Sequence, residues 1–226
     1  MKLSDLKPAR ALSEQFGIKA IIYGAPGSCK TPSIATAPKP VCLVTEPGML
    51  STRGLDYACF EAQNVGQIDE FFKWALQSDE CKNTFETIAI DSISQLAEIY
   101  LVDGLKKHSH GLQAYGYMGE EVAKKCDQLF YQKQFNVVLL AKVTQIDADN
   151  PKYRPFLPGK QLNTYIPHLF DEILFASKQL VPGQGDRAVP TLTCYETYNA
   201  MARDRSGKLA DLEPFNISHI FKKILS

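Results

Sequence analysis

The chain has 226 residues, 45% apolar and 22% charged, enough for one α/β domain with a sizeable core and short for two. Lys+Arg and Asp+Glu are equal at 25 each, which excludes a global basic field and leaves only a local patch for any nucleic-acid contact. The six cysteines form no C-x-x-C pair and no metal-like spacing with the four histidines, a usage that fits buried thiols in a reducing compartment.

Residues 1–17 read as a polar lead-in with one short amphipathic stretch, and residues 18–226 as one domain. Strand-like apolar runs recur at 18–23, 41–45, 57–61, 86–91, 136–142, 171–177 and 190–198. Helical patterns lie between them at 31–37, 67–77, 92–107 and 117–134, with a last one at 215–225. In the second of these, Ile68, Phe71, Phe72, Ala75 and Leu76 share one helical stripe. Strands alternating with helices predict an α/β fold, a mostly parallel twisted sheet with helices on both faces. Only a Pro/Gly loop separates the last two strands, which predicts an antiparallel extension. Two stretches, 106–117 and 145–160, read as long irregular loops. No run is long and apolar enough to span a membrane, and no secretory leader is visible.

The most informative residues are Gly24-Ala25-Pro26-Gly27-Ser28-Cys29-Lys30-Thr31. A buried strand, a Gly-rich turn and a Lys-Thr opening a helix form the phosphate-binding loop of nucleoside triphosphatases. Backbone N–H groups of such a loop converge on phosphates. Lys30 supplies a point charge for the β- and γ-phosphates, and the Thr31 hydroxyl suits Mg²⁺. Cys29 stands where glycine is expected, so the strict motif fails at one position; the competing reading is a turn that binds nothing.

Asp91 ends the apolar strand Thr87-Ile88-Ala89-Ile90, at the sheet edge where the loop lies. There it can hold Mg²⁺ or its waters, or simply cap the helix opening at Ser92. Glu46 follows the strand Val41–Thr45 toward the same edge. It is placed to deprotonate an attacking water, or is a solvated loop acid.

The order of these motifs resembles the RecA-type recombinase core. The resemblance continues through Asn136–Gln145 and Pro158-Gly159-Lys160-Gln161-Leu162, and covers about residues 18–223. The segments Lys39–Gly48 and Arg203-Asp204-Arg205-Ser206-Gly207 are more similar still to the compact phage Sak-type single-strand annealing ATPases. The resemblance implies ATP and Mg²⁺ as cofactors, Glu46 as the catalytic glutamate and Gln145 as the γ-phosphate sensor, with Lys142 and Thr144 competing for that strand tip. Arg203-Asp204-Arg205-Ser206-Gly207 also resembles the basic-x-Arg-x-Gly segment of hexameric replicative helicases, which implies that Arg203 and Arg205 reach a neighbouring subunit's nucleotide, hence a ring or filament; a turn with two exposed arginines is the alternative. The irregular stretches then line a channel for single-stranded DNA. Lys106, Lys107, Lys152, Arg154 and Lys160 serve backbone phosphates, and Tyr115, Tyr117 and Tyr153 serve stacked bases, against the alternative of incidental surface residues. A single-strand-binding protein is a further implied partner, and the expected location is the cytoplasm of a bacterial or phage-infected cell.

Together these give an ATP-dependent single-stranded-DNA-binding protein for recombination or annealing, hydrolysing ATP slowly with DNA stimulation. The alternative is a non-catalytic assembly protein with a phosphate loop degraded at Cys29. A third reading, a small-molecule kinase, lacks an arginine-rich lid.

Overall fold

The computed structural model describes residue 2, residues 5–8, residue 11 and residues 16–146, 152–180 and 186–226. Most of the expected lead-in and the Pro/Gly loop at 181–185 lie outside the described residues. Five apolar segments, Lys19–Tyr23 (β1), Pro40–Val44 (β2), Ala58–Glu61 (β3), Thr87–Asp91 (β4) and Asn136–Ala141 (β5), pair in parallel. Glu172–Gln179 (β8) joins β1 in parallel at its amino-terminal half. The sheet order is β11-β9-β8-β1-β5-β4-β2-β3, where β9 is Val189–Thr193 and β11 is Leu212–Pro214. Both pair antiparallel, as does Arg203–Asp204 (β10) against β8. A small antiparallel hairpin, Val143–Gln145 (β6) with Tyr153–Pro155 (β7), stands apart from this sheet.

The central strands are near-continuous apolar runs because both faces are covered. Alternation sorts their side chains into two cores. Ile21, Val41, Leu43, Ile88, Ile90, Val137 and Leu139 face one side, against helices Val65–Gln77 (α2), Ile93–Lys107 (α4), Gly111–Phe130 (α5) and Lys160–Leu169 (α6). Ile22, Cys42, Val44, Ala89, Val138 and Leu140 face the other. There they meet Ile34 and Ala37 beyond the short helix Lys30–Ser33 (α1), and helix Ile217–Leu225 (α7). Asp79–Thr84 (α3) is a short helix after α2. The stripe expected on α2 is buried at Ile68, Phe71, Phe72 and Ala75, and Leu76 is half-buried beside them.

Some expectations fail. Within 145–160, read as an irregular loop, Tyr153–Pro155 is a strand, because it pairs back on Val143–Gln145. The helix expected at 31–37 is α only to Ser33 and continues as a 3-10 turn, Ile34–Thr36; Ala37, which precedes Pro38, is extended. The last strand ends at Thr193 rather than at 198. The largest failure is 106–117, which is not a loop: α4 runs to Lys107 and α5 starts at Gly111. Just before it, buried Gly104 lets α4 and α5 come close. A Cβ there would lie 3.0 Å from the Ala114 carbonyl oxygen and 3.0 Å from the Tyr117 ring. Only the partner helix reveals that role.

Candidate nucleotide-binding site

The phosphate loop follows β1 at the carboxyl edge of the parallel strands, and β5 separates β1 from the strand that ends in Asp91. Two positions of the loop have special backbone demands. A Cβ on Gly24 would sit 2.3 Å from the Ala176 carbonyl oxygen, so only glycine fits there. Cys29 has φ 69° and ψ 22°, the left-handed region that favours glycine. The residue that breaks the motif therefore keeps the backbone shape that glycine would supply. Lys30 folds back over the loop, its Nζ donating to the carbonyls of Gly24 at 2.7 Å and Ala25 at 3.0 Å.

Asp91 is buried at the floor of this cleft and accepts a hydrogen bond from the Thr31 hydroxyl. Desolvation raises its pKa, and the nearby Glu46 charge adds to the rise, against the Thr31 hydrogen bond and the Lys30 charge. Burial lowers the Lys30 pKa, opposed by Asp91 and Glu46. Thr31 and Asp91 are thus a hydroxyl and a carboxylate already in contact at the loop, a donor set that fits Mg²⁺.

Glu46 lies two residues beyond β2, on a turn tied to the end of β4. Thr45 N donates to the Asp91 carbonyl at 2.8 Å, and the Thr45 hydroxyl donates to the Ser92 carbonyl at 2.9 Å. The Ser92 hydroxyl donates to Glu46 Oε1 and accepts from Gln95 N at 3.2 Å, capping α4. Asp91 therefore lines the cleft while its neighbour caps the helix, which separates the two readings of that acid. The cleft measures about 700 Å³ and is walled by the loop, Glu46, Gly48, Ser51, Asp91, Ser92 and the segment Ala141–Val143.

Gln145 is not in this cleft. It belongs to β6, is exposed, and its side chain donates to the Tyr153 hydroxyl at 3.3 Å. The chain leaves the sheet after Ala141, so the first residue beyond β5, Lys142, holds the strand tip instead. Its Nζ donates to Gln95 Oε1 at 2.9 Å and Glu98 Oε1 at 3.3 Å, and lies 3.9 Å from Glu46 Oε1. Position directly after a buried strand next to β1 was the available signal; Gly48, Ser51 and Ser92 gave none.

Arg203 and Arg205 lie at the opposite, amino edge of the sheet, where Arg203 pairs with Ile173 and Asp204 with Glu172. Arg203 Nη2 donates to the carbonyls of Pro167 and Phe170, which close the carboxyl end of α6. Arg205 donates to Asp171 Oδ1 at 3.0 Å and to the His168 carbonyl at 3.0 Å. Neither reaches the cleft of its own chain.

The expected DNA-contacting residues fall into three places. Tyr115 and Lys160 come together in a groove of about 320 Å³ with Leu112, Gly116, Pro158 and Gly159. Lys152, Tyr153 and Arg154 sit on the β6–β7 hairpin. There Lys152 pairs with Glu196, and the Tyr153 ring stacks on Phe175 at 5.7 Å. Lys106, Lys107 and Tyr117 sit at the α4–α5 turn. The Tyr117 hydroxyl donates to Asp103 at 2.8 Å while Lys107 pairs with the same carboxylate at 2.7 Å. Tyr117 and Tyr153 are thus held by their own chain and are not the free stacking platforms expected.

The family model described as AAA domain matches residues 17–206. The chain belongs to this family of P-loop ATPases. That span holds every residue of the cleft and ends just beyond Arg205. No curated protein matches the chain significantly. AAA domains generally bind ATP with Mg²⁺, which agrees with Lys30, Thr31 and Asp91 at one sheet edge. Among the described residues, no helix is long and apolar enough to cross a membrane.

Proposed function

We propose that this AAA-domain protein is an ATP-dependent single-stranded-DNA-binding protein of the Sak-type annealing class, hydrolysing ATP at subunit junctions of a ring or filament. The observation that carries the reading is the convergence of Lys30, Thr31, Asp91 and Glu46 in one cleft. Lys30, whose Nζ rests on the Gly24 and Ala25 carbonyls, would bind the phosphates. Thr31 and Asp91 would hold Mg²⁺, which would supply charge neutralisation on the phosphoryl oxygens. Glu46, held by Ser92, accepts a proton from the attacking water.

For DNA, the Tyr115–Lys160 groove supports the reading. Tyr115 is half exposed at 47%, and Lys160 opens helix α6 behind Gly159, a pairing of ring and cation that suits a base and its phosphate. Lys106, Lys152 and Arg154 extend the basic contacts. Arg205 is the better candidate to act in a neighbouring subunit, because its side chain is half exposed whereas Arg203 is folded under α6. A single-strand-binding protein is the proposed loading partner, and the bacterial or phage-infected cytoplasm the proposed location.

ATP hydrolysis measured with and without single-stranded DNA tests this, with Lys30→Ala as the blank. DNA-stimulated turnover lost in Lys30→Ala supports the ATPase reading. Turnover no higher than the blank rejects it in favour of a non-catalytic assembly protein.

A further inference from the structure

β2 and β3 pair in parallel with Cys42 opposite Cys59 and Leu43 opposite Phe60. Leu43 and Phe60 pack into the core on the α2 and α4 side, so alternation turns Cys42 and Cys59 together to the other face. Cys42 is buried there. Cys59 lies on the edge strand and is the exposed cysteine of the six. Adjacent strands run about 4.8 Å apart, within the Cα separation of about 4.4–6.8 Å that a disulfide spans. The Cys42 thiol is in hydrogen-bonding reach of the Cys59 sulfur.

We infer that Cys42 and Cys59 form a peroxide-oxidisable pair that closes to a reversible disulfide across β2 and β3, with Cys59 meeting the oxidant and Cys42 resolving it. This pairing does not depend on what the cleft binds. The oxidant is a hydroperoxide. The Cys59 thiolate attacks one peroxide oxygen, the O–O bond breaks and the alkoxide or hydroxide leaves, so that Cys59 becomes a sulfenic acid. The Cys42 sulfur then attacks the Cys59 sulfur. The S–S bond forms, the S–O bond breaks, and the hydroxyl leaves with the Cys42 proton as water. The two thiols lose two electrons and the peroxide gains them. Small-molecule thiols reopen the bond by exchange, as a redox-sensing disulfide in a reducing compartment requires.

The environment of Cys59 agrees with this order. The hydrogen bond from Cys42 holds the Cys59 thiol below its ordinary range, which adds thiolate at the sulfur that solvent reaches. A resolving thiol one strand away captures the sulfenic acid before the irreversible sulfinic step. The bond also closes the segment 43–58, which carries Glu46, Gly48 and Ser51 of the cleft wall, and holds that wall against local opening.

The full chain, reduced and then treated with hydrogen peroxide, tests this in the wild type, Cys59→Ser and Cys42→Ala. Trypsin cuts after Arg53, between the two cysteines, so non-reducing peptide mapping by mass spectrometry reads the bond directly. The wild type is expected to lose two free thiols and to yield the peptides of Cys42 and Cys59 as its main disulfide, separated again by dithiothreitol. Closing the segment 43–58 should raise the melting temperature by about 5 °C or more, a rise absent in Cys59→Ser. In Cys42→Ala the exposed sulfur has no resolving partner and should run on to the sulfinic acid. A wild-type Cys59 that stays a thiol, stops at the sulfenic or sulfinic acid, or pairs with another cysteine would overturn the assignment. A melting temperature lowered by the bond would overturn it too, since the disulfide would then fit only a distorted sheet. Cys59 is exposed, so the wild-type map and Cys59→Ser still decide if Cys42→Ala fails to fold.

Discussion

Substituting Cys29 by glycine is expected to stabilise the fold and leave nucleotide affinity almost unchanged. The Cys29 backbone stands at φ 69° and ψ 22°, a region that costs a residue with a Cβ about 1–2 kcal/mol. Glycine removes that cost but makes the unfolded chain more flexible, which takes back about 0.4–1 kcal/mol. The thiol's contact in the loop is a weak one, 3.9 Å to the Gly27 carbonyl, so little else is lost. The net gain is roughly 0.5–1 kcal/mol, which for a domain of this size raises the melting temperature by roughly 1–4 °C. The strain is already present in the empty loop. Where the bound loop keeps the same φ, the cost appears on both sides of the binding equilibrium and cancels. Sequence alone leaves φ unknown and so leaves open a phosphate loop degraded at Cys29. Thermal unfolding and nucleotide titration of Cys29→Gly and Cys29→Ala, side by side, check this. Alanine keeps the Cβ and should gain nothing. A glycine variant less stable than the wild type, or one that binds tenfold tighter without added stability, would refute the argument.

Cys29 lines the cleft, so bound Mg²⁺-ATP should slow its alkylation, followed by mass spectrometry of the loop peptide in a Cys59→Ser background; equal rates would place the nucleotide elsewhere. Gly24→Ala should abolish nucleotide binding, since its Cβ would collide with the Ala176 carbonyl at 2.3 Å; calorimetry showing wild-type affinity would contradict that close approach. Burial raises the Asp91 pKa, and Mg²⁺ needs the carboxylate. Mg²⁺-dependent nucleotide binding should therefore fall with acidification beginning above the ordinary carboxylate range, and a titration of Mg²⁺ affinity against pH reads this. At the opposite sheet edge, desolvation raises buried Glu172 to about 8 from 4.5. The folded state then holds a proton that the unfolded state has released, so stability should decline from about pH 4.5 to about pH 8. Glu172→Gln should flatten that decline in denaturant unfolding measured across the range.

The sequence by itself determined the elements whose signals are local. The strands are legible as apolar runs because a sheet covered on both faces leaves no polar alternation to blur them. Lys30, Thr31, Asp91 and Glu46 are legible because a phosphate loop and strand-end acids carry their chemistry within a few residues. Tertiary structure alone decided the rest. Most of the stretch 106–117 belongs to α4 and α5, which turn back on each other at 108–110 because Gly104 admits Ala114 and Tyr117 across their contact, and helical periodicity does not show that two helices fold back on one another. Lys142 rather than Gln145 faces the cleft because the sheet releases the chain after Ala141. Arg203 and Arg205 sit at the amino edge because β10 runs antiparallel to β8. Strand direction and the point where a sheet lets go are settled by pairing between segments distant in sequence.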